Sequence, residues 1–271
     1  MKHYILFIFT LISLQYSVVY AQFKAVHIPD SILATMKIDG NASDWDWVPE
    51  KYLITEQSMN KNTFSGDTDF WKSQMIVGWN DLSHKLYIIA KITDDIFITN
   101  NSLYYTNDCM QFAINADNEG GRYEGQQDNR LKHSILYAIT PSSDKDFKLL
   151  INSGPDWMQE KQHIDWAVKH SKNENDEYET VYEMSLSLWD KWESEGPNDS
   201  FPTKLYPLKR IRLALVFNDS DASDETFTGW SNFTGGDWWK NADHIPKLIL
   251  DMPSDKKDVS WQGIHYILTN E

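Results

Sequence analysis

Short runs of apolar, aromatic and β-branched residues recur along the chain, each closed by a cluster of turn-forming residues. Met75–Trp79, Lys85–Ile92, Cys109–Asn115, Ser134–Thr140, Asp165–His170, Tyr178–Leu186, Arg212–Phe217 and Lys247–Leu250 predict strands. Asn80-Asp81, Asp94-Asp95, Asn118–Gly121, Pro141–Ser143, Asn173–Asp176 and Asp219–Asp224 separate them with turn chemistry. In the third run Met110, Phe112 and Ile114 alternate with Cys109, Gln111, Ala113 and Asn115, so one set faces a core and the other can face a ligand. Helical periodicity is weak. Only Ser187–Glu195, which ends at Gly196-Pro197, predicts a helix. Many short strands with at most one or two short helices predict an all-β fold, a two-sheet antiparallel β-sandwich of immunoglobulin or jelly-roll type.

The N-terminus breaks this pattern. Lys2 and His3 precede the apolar run Ile5–Leu14, and Val19-Tyr20-Ala21 stands before Gln22, which predicts a cleavable secretory signal over residues 1–21. Gln15 and Ser17 interrupt the run too early for a membrane span of about 20 residues. Residues 22–271 then form one domain, exported to the periplasm or exterior, with no lipid-anchor cysteine expected after the cut. Cys109 is the sole cysteine, which excludes an intrachain disulfide and reads as a small buried hydrophobe.

Charge and aromatic content narrow the function classes. With 40 acidic against 25 basic residues the net charge is −15, which argues against nucleic acid as a partner. The chain carries 12 Trp and 13 Tyr, more than a sandwich core requires. Sugars suit such a surplus, because the C–H face of a pyranose stacks on an aromatic ring while its hydroxyls need fixed donors and acceptors. The densest cluster runs from Trp230 to Trp239 and includes the adjacent pair Trp238-Trp239, of which one ring at most is expected in the core.

The order of segments resembles carbohydrate-binding module family 9 over nearly the whole length after residue 21. The matching blocks are Ile38-Asp39-Gly40 with Asp44-Trp45, then Val77–Asp81 with Leu86–Asp95, Asn107–Asn115, Tyr178–Leu186, Leu215–Asp219, Gly229–Ser231 and Ile245–Leu248. The resemblance implies a non-catalytic domain that clamps a sugar between two aromatic rings and assists polysaccharide breakdown beside glycoside hydrolases. Carried over singly, the two rings fall on Tyr105 and Trp238. The family's polar partners fall on Gln111, Val216 and Gly235, of which only Gln111 has a polar side chain. The sugar itself is therefore not transferable from the family.

The resemblance also implies structural calcium, for which the oxygen-rich candidates are Asp94-Asp95, Asp117-Asn118-Glu119 and Asp219–Asp224. An enzyme is not expected, since no nucleophile, zinc-protease, phosphate-loop or dinucleotide motif occurs; His163 with Asp165, and His244 with Asp243, read as surface pairs. Two other classes stay open. Sandwiches of this kind also hold haem b for electron transfer, for which Met75, Met110 and His133 are the candidates, and an extracellular adhesion domain would bind protein instead.

Overall fold

A computed structural model describes residues 23–63, 71–99, 101–122, 133–143, 146–221, 228–232 and 236–253. The expected signal segment lies outside them. All eight expected strands are present, most of them longer by one to four residues at an end, and seven further strands join them.

One sheet runs β8 (Phe147–Ser153), β7 (Ser134–Pro141), β6 (Cys109–Asn115), β13 (Arg210–Asp219), β15 (Lys247–Leu250) and β1 (Phe23–His27). The far half of β13 also pairs with β14 (Thr228–Ser231), which pairs with β3 (Asn60–Thr63). The second sheet runs β1, β4 (Trp71–Asn80), β5 (Lys85–Asp94), β10 (Tyr178–Ser187) and β9 (Ile164–Lys172), with β2 (Ile54–Thr55) added to β4. β1 belongs to both sheets. Residues 23–25 pair with β15 and residues 26–27 with β4, parallel in each case, and this seam joins two sheets whose other pairings are antiparallel, as the expected sandwich requires.

The core between the sheets follows the period-2 pattern of the strands. Met75, Val77 and Trp79 of β4 meet Phe112 and Ile114 of β6 and Leu215 of β13, all fully buried or nearly so. Met110 and Cys109 are buried too, and burial pushes the Cys109 thiol up. Every residue of β6 and β7 is buried, so the outer face of the first sheet is covered as well. Its cover is a second cluster in which Ala113, Leu136, Ala214 and Val216 meet Trp238 and Ile245.

The second sheet is covered by residues 28–48. Ile28 and Trp45 pack there on Tyr87, Ile89 and Val181. The buried Glu183 carboxylate pins this cover, accepting from Trp45 Nε1 at 3.0 Å and from the backbone N–H groups of Asp39 and Gly40 at 2.9 Å.

The expected helix at 187–195 does not form. Leu188 and Trp189 enter the main core, and Trp189–Lys191 becomes β11, paired with β12 (Phe201–Pro202). Burial of those side chains outweighs helix propensity, and the described residues contain one α-helix, Asp30–Leu33.

Candidate sugar-binding face and acidic cluster

The outer face of the first sheet has a floor of small and polar side chains. Gln111 of β6 lies between Ala138 of β7 and Val216 of β13, with Leu150 of β8 and Ser231 of β14 beyond them. One pleat repeat away, about 7 Å along the strands, the row is Leu136, Ala113 and Ala214. In the opposite direction it is Cys109 and Asn218.

A 3-10 turn at Tyr104–Thr106 stands over the Cys109 end. Asn218 Nδ2 donates to the Tyr105 carbonyl, and Thr140 Oγ1 donates to the Tyr104 carbonyl at 3.2 Å. The Tyr104 hydroxyl lies 3.5 Å from Gln111 Oε1 and accepts from Asn152 Nδ2 at 2.8 Å. Desolvation, with smaller effects from Cys109 and Tyr105, pushes this phenol up to about 12, so it remains a donor. The Tyr104 and Tyr105 rings are perpendicular with centroids 5.2 Å apart, and Tyr105 is 37% exposed.

The turn carrying Trp238 and Trp239 covers the Ala113 end. Trp238 is 8% exposed and Trp239 43%, and their rings are perpendicular at 6.3 Å. The expected division of the pair into one buried and one exposed ring therefore holds, on a turn rather than a strand. The ring expected to clamp, Trp238, is however the buried one, because it packs on Ala113, Leu136 and Ala214, and the exposed ring is Trp239. Arg212 fastens the segment that follows, donating through Nη1 to the carbonyls of Ala242, Asp243 and Ile245 at 3.1–3.3 Å. Ala242 N–H also donates to the Gly121 carbonyl at 2.7 Å.

Tyr105, Gln111, Trp238 and Trp239 thus share one face, with Gln111 between the two aromatic groups. Trp230 does not share it. It is opposite Phe217 in the β13–β14 ladder and packs against the main core, because its position has the inward parity. Gly235 lies outside the described residues. Tyr104, Asn152, Asn218 and Arg212 were missed in the sequence. The doublet Tyr104-Tyr105 was a usable signal for the first, whereas the others are brought in by strand register alone.

The acidic candidates separate into two places. Carboxylate oxygens of Asp94, Asp219 and Asp221 lie within 4.8 Å of one another, where β5 and β13 end together. Asp108 ties the surrounding loops, accepting from Ser220 N–H at 2.7 Å and from Ile98 N–H. Asp94 is 8% exposed, its Oδ1 has no hydrogen-bond partner among the described residues, and burial followed by repulsion from Asp108, Asp219 and Asp221 pushes its carboxyl up to about 10. A cavity of about 20 Å³ bordered by Asp94, Asp108 and Asp219 has room for roughly one water or ion. An orphaned carboxylate oxygen in an all-oxygen donor set fits a hard cation. Asp95 is exposed and outside this group, and Asp117 belongs to a different one with Glu119 and His133.

The haem candidates do not converge either. Met75 and Met110 pack in the main core, while His133 pairs with Asp117 beside the other end of β6 from Met110. Of the histidines read as surface pairs, His244 bonds Asp237 at 2.7 Å and His163 packs edge-on to Trp157 and Trp189.

No family model and no curated protein matches the chain. Solved structures do. The fold is similar to a carbohydrate binding module family 9 from Caldicellulosiruptor kristjanssonii in complex with cellotriose, at 15% identity and a TM-score of 0.59, covering 87% of this chain and 96% of that one. It is also similar to such a module in complex with glucose, at 15% identity and a TM-score of 0.54, covering 86% and 97%. The chain therefore has a family 9-like fold.

Proposed function

We propose that this is a non-catalytic, exported carbohydrate-binding protein that seats a sugar residue on the outer face of the first sheet, between the Tyr104–Tyr105 pair and the Trp238–Trp239 pair. The carrying observation is that one exposed ring, Tyr105 or Trp239, stands at either end of the covered outer face, with Gln111, itself buried, and the Tyr104 hydroxyl as the polar groups between them. Stacking on Tyr105 and Trp239 supplies the apolar contact, and Trp238 supports Trp239 from below. Such a protein has its use beside glycoside hydrolases, holding polysaccharide near them. The similarity to modules solved with cellotriose and glucose makes β-glucan fragments the first ligands to test.

Calcium belongs to the same reading. Asp94, Asp219 and Asp221 would hold it, and its charge would relieve the repulsion among them while binding the ends of β5 and β13 together.

The test is a glycan array in calcium buffer followed by calorimetry on the best ligand. Tyr105→Ala and Trp239→Ala should each weaken binding by roughly two- to tenfold, the value of one stacking contact. Absence of binding to every mono- and oligosaccharide overturns the reading, and undiminished binding in both variants moves the site elsewhere.

A further inference from the structure

The β6–β7 connection begins at Ala116 and returns to the sheet at His133, and its two ends meet side chain to side chain. His133 Nδ1 hydrogen-bonds Asp117 Oδ2 and lies 3.5 Å from Glu119 Oε2, and the three ligand-type atoms fall within 4.8 Å of one another. Tetrahedral zinc, with bonds of about 2.0–2.1 Å, needs ligand atoms about 3.3 Å apart. We propose that Asp117, Glu119 and His133 form a binding site for a borderline divalent cation of the zinc class, separate from the all-oxygen cluster around Asp94.

The second layer around these groups is already in place. Asn115, fully buried at the end of β6, donates through Nδ2 to Asp117 Oδ1 at 2.8 Å and to the His133 carbonyl at 3.1 Å. Its Oδ1 accepts from Gly120 N–H at 2.9 Å. Glu119 N–H also occupies Asp117 Oδ1, at 3.0 Å, so that Oδ2 is the oxygen turned to the imidazole. One buried amide thus fixes both distant ligands, as outer-layer partners do in metal sites. The Asp117 and His133 side chains are 12% and 16% exposed, whereas Glu119 is 59% exposed, which leaves an entry path on its side.

The imidazole sets the class of ion. Calcium takes oxygen ligands, whereas nitrogen with two carboxylates suits zinc and its neighbours, with solvent in the remaining position. A bound ion would close the base of the connection. Gly121, four residues beyond Asp117, pairs with Ala242 and accepts no slack there, since Gly121 N–H also donates to Asp243 Oδ1 at 3.1 Å.

The experiment is Co²⁺ titration of the untagged, chelator-stripped protein, read by visible absorption, with Zn²⁺ and Ca²⁺ as competitors. One Co²⁺ per chain with the intense bands of a low-coordinate ion, displaced by Zn²⁺ and not by Ca²⁺, is the expected result. A hundredfold excess of Zn²⁺ over its Kd should raise Tm by roughly 5–10 °C. His133→Ala should abolish the bands, Glu119→Gln, at an exposed position, should weaken Zn²⁺ binding about tenfold or more, and Asp94→Asn should change neither. Lack of a Co²⁺ spectrum, its survival in His133→Ala, or displacement by Ca²⁺ as readily as by Zn²⁺ reduces the group to a histidine–carboxylate ion pair and overturns the proposal. None of these readings depends on whether the protein binds sugar.

Discussion

Glu183 illustrates how much one side chain can carry. It is fully buried, and its ionised form is tolerated because three donors face it across a gap between the second sheet and its covering segment. Burial still raises its pKa, and the bonds from Trp45, Asp39 and Gly40 hold that rise back. Glu183→Ala leaves those donors unpaired and should cost about 3 kcal/mol in urea unfolding, with unchanged affinity for any sugar bound on the far sheet. Gly78 matters for the opposite reason, since a Cβ there would lie 2.6 Å from Ile28 Cδ1. Gly78→Val should lower stability by roughly 1–3 kcal/mol through overpacking, measured in the same way. Neither role is visible in the sequence, where Glu183 is one acidic residue among many in a strand.

At the scale of elements, β1 is the piece on which the architecture turns. Five residues pair with both sheets, and Asp251 N–H adds a bond of 2.9 Å to the Ala25 carbonyl just beyond β15. Ala25→Pro removes a ladder donor at a fully buried position and should cost about 2 kcal/mol or more, read as a lowered Tm. The strand was not expected, because Phe23–His27 sits directly after the signal-like segment and its alternation is too short to stand out. β8 escaped as well, since Lys148 and Asn152 dilute its apolar residues. By contrast Cys109–Asn115 and Lys247–Leu250 were legible to the residue, their boundaries being marked by polar and turn-forming neighbours. Leu188 and Trp189 show the reverse error, where a helix-compatible stretch is drawn out as strand by the burial of its large side chains.

For the molecule as a whole, the acidic surplus has a consequence where loops converge. Asp94 has its carboxyl pushed up to about 10, against 3.8 for the ordinary group, so the folded state holds this proton over a range in which the unfolded chain releases it. The associated stability is complete below about 3.8 and is lost as pH rises toward 10. In chelator, Tm should therefore fall between about pH 5 and pH 9, and millimolar Ca²⁺ should flatten that slope if the cluster takes the ion. Asp94→Asn should flatten it without calcium. A slope unaffected by either change would separate the cluster from both effects.

What the sequence determined alone was the class of fold, the inward parity of most strands, and the presence of aromatic and acidic groups in the right order for a family 9-like domain. Those properties are local, being set by periodicity of two and by turn chemistry at fixed places. Which groups meet was decided only by tertiary structure. The register of β6 against β13 sets Gln111 beside Val216, that of β14 against β13 sets Trp230 opposite the inward Phe217, and closure of the loops unites Asp94 with Asp219 but Asp117 with His133. A strand's own pattern states which face a side chain takes, and the neighbour it finds there depends on pairing between segments far apart in the chain.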